Sequence, residues 1–239
     1  MILITRPKNE SLRLKKRFDK QGFDSVIDSL SSFHSVSVKS LNAKNNVILT
    51  SSPRATQILI DKKYISTSTP LLVIGGSSLK KLRSAGYRKI IHTALNSKEM
   101  FSYLKKNKMK VTKESTRKII YCTSSVGNNI FQKKLETFGA KKIIIYKTLF
   151  KKKLNLKTVN LIKKKEIKIC VVFSKANADH LVKLLGKHKL SQISKNIKII
   201  GLSRDISNVF SNAGFRNCYS VKKPSLRNII IKTRQLYVL

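Results

Sequence analysis

The sequence predicts an α/β fold built from two similar domains, each with a parallel sheet covered by helices. Three observations support this prediction. Short β-branched runs alternate with helical stretches along the chain, which is typical of parallel sheets. The same segments recur in the same order, which indicates a duplication. Finally, 239 residues are enough for one large domain or two small ones, at roughly 100–200 residues per domain.

The amino-terminal third shows the alternation clearly. Its pattern predicts strands over residues 2–5, 26–30, 47–50 and 71–74. Helical periodicity lies beside these runs and predicts helices over residues 11–21, 54–62 and 78–85. Gly22 and Gly86 follow the first and the last of these helices. A glycine just past a helix favours a left-handed cap, so both helices are expected to end there.

Three segments of the chain occur twice. The first, Leu14-Lys-Lys-Arg-Phe-Asp-Lys-Gln-Gly22, resembles Phe131-Gln-Lys-Lys-Leu-Glu-Thr-Phe-Gly139. The second pair is Ile48-Leu-Thr-Ser51 and Val171-Val-Phe-Ser174. The third pair is Leu72-Val-Ile-Gly75 and Lys198-Ile-Ile-Gly201. Because the order is the same in both halves, we interpret the chain as two similar α/β domains.

The repeat leaves two domain arrangements open. A plain duplication places the boundary near Thr116. In a segment-swapped arrangement, the first segment of each half pairs in space with the second and third segments of the other half. The chain then crosses between domains twice, near residues 31–39 and 144–151, and both crossings are rich in β-formers or alternate as a strand does.

The charge balance is extreme. Against 11 Asp and Glu stand 51 Lys and Arg, giving a formal net charge of +40, which attracts polyanions. The excess is spread from Lys8 to Lys232, beside many Ile and Asn residues, as an AT-rich genome would encode in any protein. A nonenzymatic polyanion- or nucleic-acid-binding protein on a duplicated α/β scaffold is the alternative function. The sequence has neither an aromatic stacking motif nor a helix-turn-helix, so nucleic acid is not favoured as a partner.

Cysteine and histidine spacing predicts neither a disulfide framework nor a metal site. Cys122, Cys170 and Cys218 show no CxxC spacing, which favours a reducing, cytoplasmic location. The four histidines show no metal-ligand spacing, and His180 and His188 lie in a polar helical region where we expect them to be solvated. Neither a signal-peptide core nor an apolar run of ~18 residues is present, so no membrane association is expected.

Several motifs, in this order and spacing, resemble the uroporphyrinogen-III synthase family over the full length of the chain. They are Leu3-Ile-Thr-Arg-Pro7, Leu49-Thr-Ser-Ser-Pro-Arg-Ala55, Val73-Ile-Gly-Gly-Ser-Ser78, Ile145-Tyr-Lys-Thr148, Phe173-Ser-Lys-Ala-Asn-Ala178 and Gly201-Leu-Ser203. One departure is clear. Where the family usually has a glycine-containing turn after the central strand, this chain has Tyr121-Cys-Thr-Ser-Ser125.

The resemblance implies the segment-swapped arrangement. It implies two flavodoxin-like domains, a discontinuous one of residues 1–35 and 151–239 and an inserted one of residues 36–150, joined by a two-stranded connector with the active site in the cleft between them. The implied activity is that of a cyclising hydro-lyase in haem biosynthesis. It acts on hydroxymethylbilane, which hydroxymethylbilane synthase could hand over. The resemblance implies a monomer without cofactor or metal.

The implied reaction loses the hydroxyl of the terminal ring as water and leaves an azafulvene cation. Attack by the substituted carbon of the last pyrrole gives a spiro intermediate, which recloses with that ring inverted and yields isomer III. Uncatalysed closure gives isomer I. Tyr146 matches the family tyrosine whose phenol could hydrogen-bond or protonate the leaving hydroxyl. The alternative is a tyrosine packed on a connector strand with its hydroxyl satisfied by a neighbour.

The substrate carries eight carboxylates, and polar residues that follow the predicted strands could bind them. Carboxyl ends of parallel strands and the helix N-termini after them attract anions. For the serines the alternative role is helix capping, and for Arg6 it is a surface residue that ties down a loop. The predicted substrate-binding residues are Thr5, Arg6, Thr50, Ser51, Gly75, Ser77, Ser78, Thr123, Ser174, Lys175 and Ser203.

Overall fold

The chain crosses twice between two structural units, so that one of them is discontinuous. In the computed structural model, which describes residues 1–112, 117–126 and 129–237, the first unit comprises Met1–Ser32 with Leu149–Leu239, and the second comprises Phe33–Thr148. Thr116, near which a plain duplication would place the boundary, lies outside the described residues.

Strands and helices alternate through most of the described chain. The strands are β1 (Ile2–Ile4), β2 (Ser25–Ile27), β3 (Ser31–Ser35), β4 (Val47–Thr50), β5 (Leu71–Ile74), β6 (Ile90–Ala94), β7 (Ile119–Ser124), β8 (Lys141–Phe150), β9 (Ile169–Val172), β10 (Lys198–Gly201) and β11 (Cys218–Ser220). The helices are α1 (Lys8–Asp19), α2 (Pro53–Asp61), α3 (Gly76–Ser84), α4 (Ser97–Thr112), α5 (Asn129–Glu136), α6 (Leu156–Lys163), α7 (Lys175–Lys187), α8 (Ser191–Ser194), α9 (Arg204–Asn212) and α10 (Leu226–Tyr237).

The sheet of the first unit combines strands from both ends of the chain. Its order is β11-β10-β9-β1-β2, and β1 pairs in parallel with both β2 and β9. Numbered within the unit, the strands run 2-1-3-4-5, which is the flavodoxin-like order. This sheet joins the first segment of one repeat to the second and third segments of the other.

The second unit repeats this plan with one additional strand. Its order is β3-β8-β7-β4-β5-β6, and β7 pairs in parallel with β4 and β8. If β7 and β8 are counted first, the strands from β8 to β6 again run 2-1-3-4-5. The extra strand, β3, lies beside β8, and these are the two strands in which the chain crosses between units. The predicted two-domain α/β fold with parallel sheets is confirmed.

Each sheet is buried on both faces, as expected where helices cover a parallel sheet. Side chains that alternate along one strand enter different clusters: in β4, Ile48 packs in one core and Leu49 in another. In the first unit, the neighbouring residues Leu3 and Ile4 likewise pack in two different cores. This explains why the central strands are runs of apolar residues rather than alternating patterns.

Helix bounds differ from the sequence pattern mainly at the amino ends. Helix α1 begins at Lys8 rather than at residue 11, because Pro7 has φ −53° and ψ 147° and already acts as the N-cap. The Pro7 carbonyl accepts from Ser11 N at 2.9 Å. The glycine stops are confirmed, since Gly22 and Gly86 have φ of +72° and +83°, a region that glycine enters at no steric cost.

The buried thiols provide a test of the core. Burial raises the pKa of Cys122 to about 12 and raises the pKa of Cys170 further, whereas Cys218 is partly exposed. At pH 8 the thiols of Cys122 and Cys170 in the native protein should therefore react slowly with a disulfide reagent, since the thiolate is the reactive form. Titration with a disulfide reagent should detect at most Cys218 quickly, and all three thiols after denaturation. Rapid labelling of Cys122, located by mass spectrometry, would contradict this packing.

Candidate functional site

In the second unit, two serines that follow β4 lie within hydrogen-bond distance of tyrosines in β7 and β8. These three strands are neighbours in the sheet, so residues that lie far apart in sequence meet at one edge. Ser51 and Ser52 follow β4, Tyr121 lies within β7, and Tyr146 lies within β8. We call this group, made of Ser51, Ser52, Tyr121 and Tyr146, the tyrosine rim.

Ser51 and Tyr121 form the shorter of the two hydrogen bonds in the tyrosine rim. Their hydroxyl oxygens lie 2.8 Å apart, close to the most common O–H···O distance. Tyr121 is 3% exposed, whereas Ser51 is only partly buried. Sequence reasoning did not assign a role to Tyr121, because an aromatic residue in a buried strand resembles ordinary core.

Ser52 and Tyr146 form the second pair. The Ser52 hydroxyl accepts from Ala55 N at 3.0 Å, which makes Ser52 the N-cap of α2, and it lies 3.3 Å from the Tyr146 phenol oxygen. The Tyr146 ring packs edge-on against Phe33 with centroids 5.7 Å apart. Tyr146 therefore has a hydroxyl neighbour, but the two oxygens lie farther apart than in a usual O–H···O hydrogen bond.

Arg54 adds a positive charge beside the tyrosine rim. Its guanidinium lies 3.7 Å from the centroid of Phe33, the ring on which Tyr146 also packs. Arg54 is the second residue of α2 and is partly buried. Stacking on an aromatic face holds a guanidinium in place and fixes the direction in which its edge points. In the sequence, Arg54 lies within the motif Leu49-Thr-Ser-Ser-Pro-Arg-Ala55, but no role was assigned to it.

The loop before α3 has a glycine rather than a serine at the N-cap position. Gly75 has φ +89° and is the N-cap of the helix, and its N–H donates to Ala94 O at 2.8 Å. The suggestion that Ser77 or Ser78 caps this helix is wrong, because α3 begins at Gly76. Ser77 is exposed, while the Ser78 hydroxyl is buried without a hydrogen-bond partner among the described residues.

Arg6 lies at the carboxyl end of β1 in the first unit and is held from two sides. Its guanidinium lies 4.3 Å from the Phe173 ring centroid. It also forms an ion pair with Glu10, in which Nε and Oε2 are 2.9 Å apart. These contacts are those of a residue that ties down a loop, which is the alternative role of Arg6 given above.

Serines begin two helices of the first unit. Ser174 caps α7, and its hydroxyl accepts from Asn177 N at 3.2 Å. Lys175 follows it and is exposed. Ser203 occupies the N-cap position of α9, but its side chain forms no capping hydrogen bond. A Cβ on Gly201 would lie 3.0 Å from both Ser203 O and Ser207 N, so only glycine fits this close approach before the helix.

The three predicted threonines are buried. The Thr5 hydroxyl donates to Val171 O at 3.0 Å, and the Thr50 hydroxyl lies 3.1 Å from that of Thr56. Thr123 is 6% exposed. Thr5 and Thr50 thus use their hydroxyls inside the fold, whereas the next residues, Arg6 and Ser51, are only partly buried. Alternation along a strand sends neighbouring side chains to opposite sides, which explains this difference.

Two histidines are bonded to the backbone, contrary to the expectation that both are solvated. His180 Nε2 lies 2.7 Å from Lys151 O, and His188 Nε2 accepts from Leu154 N at 3.1 Å. In residues 1–112, 117–126 and 129–237, no group of three or more His, Cys, Asp or Glu residues could hold a metal ion. No helix in the same part of the chain is both long and apolar enough to span a bilayer.

These features define a class of protein: two flavodoxin-like α/β units whose strand ends carry hydroxyl, phenol and guanidinium donors suited to an anionic ligand. Residues 13–230 match the family model described as uroporphyrinogen-III synthase HemD. The chain therefore belongs to the uroporphyrinogen-III synthase family, whose activity is the one that the sequence motifs implied. No curated protein matches the chain, and nothing in the comparisons favours the nucleic-acid alternative.

Solved structures support the same fold. A mutant uroporphyrinogen III synthase from the extremely thermophilic bacterium Thermus thermophilus is similar over 100% of this chain and 99% of its own, with a TM-score of 0.67 and 12% identity. A uroporphyrinogen-III synthetase from Helicobacter pylori is similar over 98% of both chains, with a TM-score of 0.66 and 17% identity. At such identities the likeness concerns the fold.

Proposed function

We propose that Tyr146 assists the departure of the terminal hydroxyl of hydroxymethylbilane during its conversion to uroporphyrinogen III. The C–O bond breaks, the phenol donates or shares its proton with the leaving oxygen, and water departs. The resulting azafulvene cation is then attacked by the substituted carbon of the last pyrrole. The position of Tyr146 carries this proposal: its phenol oxygen lies 3.3 Å from the Ser52 hydroxyl, and a neighbouring ring holds the Arg54 guanidinium.

The carboxylates of the substrate are bound by donors at the strand ends of each unit. In the second unit we assign this role to Ser51, Arg54, Ser77 and the backbone amides after Gly75. Ser78 stays in the proposal, because its buried hydroxyl has no partner among the described residues. In the first unit the corresponding residues are Arg6, Ser174, Lys175 and Ser203. Thr5 and Thr50 support the strand ends through the fold, since their hydroxyls are bonded internally.

Three further properties belong to the same proposal. The enzyme acts as a cytoplasmic monomer and receives hydroxymethylbilane from hydroxymethylbilane synthase. The free state of Cys122, Cys170 and Cys218 supports a reducing compartment. Transfer from the preceding enzyme would limit spontaneous closure of the substrate to isomer I.

The deciding experiment is a coupled assay with freshly generated hydroxymethylbilane. After oxidation, chromatography separates uroporphyrin isomers I and III. We expect an excess of isomer III over the protein-free control, which supplies the rate of spontaneous closure. If protein that circular dichroism shows to be folded yields isomer I alone, the proposed activity is overturned.

A further inference from the structure

We propose that Tyr121 is a positioning residue for substrate binding. Its phenol orients the Ser51 hydroxyl so that the serine donates its own proton to a carboxylate of the bound tetrapyrrole. The inference rests on the proposed function and deepens it, because it states how the hydroxyl of one carboxylate-binding residue, Ser51, is oriented.

The phenol is held firmly by the fold. Tyr121 is paired through its strand with Leu49 of β4, and its side chain is 3% exposed. Phe131 meets the ring edge-on, with centroids 5.5 Å apart. A buried ring in this packing has few alternative rotamers, so its hydroxyl presents a fixed hydrogen-bonding partner to Ser51 at 2.8 Å.

The direction of this hydrogen bond determines what Ser51 can do. A phenol is a stronger acid than an alcohol and is therefore the better donor of the two hydroxyls. When Tyr121 donates, the Ser51 oxygen accepts, and the serine proton turns away from the phenol toward the partly exposed side of the residue. Ser51 then becomes a directed donor. Its own donation costs less entropy on binding because the rotor is already restricted.

The surroundings select an anionic acceptor for that proton. Residues 47–60, 117–126 and 141–150, which supply the strand ends around Ser51, contain no Asp or Glu. Arg54 lies three residues further along and contributes positive charge. An oriented hydroxyl in surroundings without an acidic side chain suits a carboxylate, since hydrogen bonds to ionised acceptors are roughly twice as strong as neutral ones.

The adjacent serine shows that the two positions have different tasks. The Ser52 hydroxyl accepts from Ala55 N at 3.0 Å and caps α2. Ser51 makes no contribution to this cap, and its hydroxyl is paired with the phenol of Tyr121 instead. Loss of the Tyr121 hydroxyl should therefore leave the helix intact while releasing the Ser51 rotor.

The test is Tyr121→Phe, measured by initial rates over a range of hydroxymethylbilane concentrations. We expect KM to rise roughly 3- to 10-fold with kcat within about twofold, the pattern of lost uniform binding. Ser51→Ala should raise KM at least as much, because the charge-assisted hydrogen bond is removed altogether. In the Ser51→Ala background, Tyr121→Phe should add no further increase, because the phenol acts through the serine. Tyr103→Phe, a ring stacked on His92 in the same unit, is the matched control.

The outcomes separate this inference from the proposed function. Wild-type protein that yields only isomer I overturns both. Wild-type protein that yields isomer III, together with an unchanged KM for folded Tyr121→Phe, overturns the positioning role alone. A further rise in KM when Tyr121→Phe is added to Ser51→Ala also overturns it, because the phenol would then act without the serine. If Tyr121→Phe does not fold, Ser51→Ala decides the matter, and an unchanged KM rejects Ser51 as a donor.

Discussion

Replacement of Tyr146 by Phe is expected to lower kcat about 10- to 100-fold with a small effect on KM. A general acid typically contributes 10²- to 10⁴-fold, and an effect at or below the bottom of that range is expected because hydroxymethylbilane also closes without an enzyme. Phe keeps the ring and its edge-on packing against Phe33, so only the hydroxyl is lost. Rates of uroporphyrinogen III formation at saturating substrate measure the effect. The enzymatic product should remain isomer III, since the phenol acts on the leaving group and not on ring inversion.

Two control variants make the Tyr146 result specific. Tyr103→Phe removes a phenol from the same unit away from the strand ends and should leave kcat unchanged. Ser52→Ala removes the hydroxyl that lies 3.3 Å from the phenol oxygen and also the cap of α2, and should lower stability by about 1 kcal/mol. A kcat of Tyr146→Phe within twofold of wild type would exclude the tyrosine from the departure of the hydroxyl.

The sequence was sufficient to predict the strands in the interior of each sheet. β4 and β5 begin and end at the predicted residues 47–50 and 71–74, because four consecutive buried residues, all apolar except Thr50, leave little freedom in the assignment. The predicted start of helix α1 was too far along the chain, because apolar periodicity does not detect the first turn, which follows Pro7. Strand order is a different problem. Both the swapped and the unswapped arrangement place the same segments in sheets, so local patterns could not choose between them.

The functional site was predictable only in part, for a related reason. The strand ends could be located, and with them Ser51, whereas Tyr146 was indicated only by the resemblance to the family. Which hydroxyl is available depends on partners that are distant in sequence. Thr50 and Ser51 are adjacent and chemically alike, yet the first bonds to Thr56 in the interior and the second to Tyr121 at the rim. A phenol within an apolar strand carries no sign of this contact, so Tyr121 resembled core.

Asp28→Ala is expected to destabilise the first unit by about 3–5 kcal/mol. The carboxylate of Asp28 is fully buried and follows β2, where the chain is about to leave this unit. It forms an ion pair with Lys151 and accepts from Asn155 N at 2.9 Å, both on the returning segment. Removal leaves the partly exposed Lys151 ammonium with Asn155 Oδ1 as its remaining acceptor at 2.9 Å, and it leaves the Asn155 N–H without its acceptor. Breaking a buried pair from one side typically costs about 3–5 kcal/mol. Urea unfolding of wild type and variant measures the difference.

The location of the destabilisation distinguishes the loss of a local ion pair from a general loss of folding. Amide hydrogen exchange should accelerate in β1 and β9 of Asp28→Ala and stay close to wild type in β4 and β7, which belong to the other unit. Lys153→Ala, an exposed lysine on the same returning segment, is the matched control and should fall within about 0.5 kcal/mol of wild type. In a double-mutant cycle, Lys151→Ala should cost much less once Asp28 is absent, because the two side chains form one pair. Additive effects of the two substitutions would show that Asp28 stabilises the unit independently of Lys151.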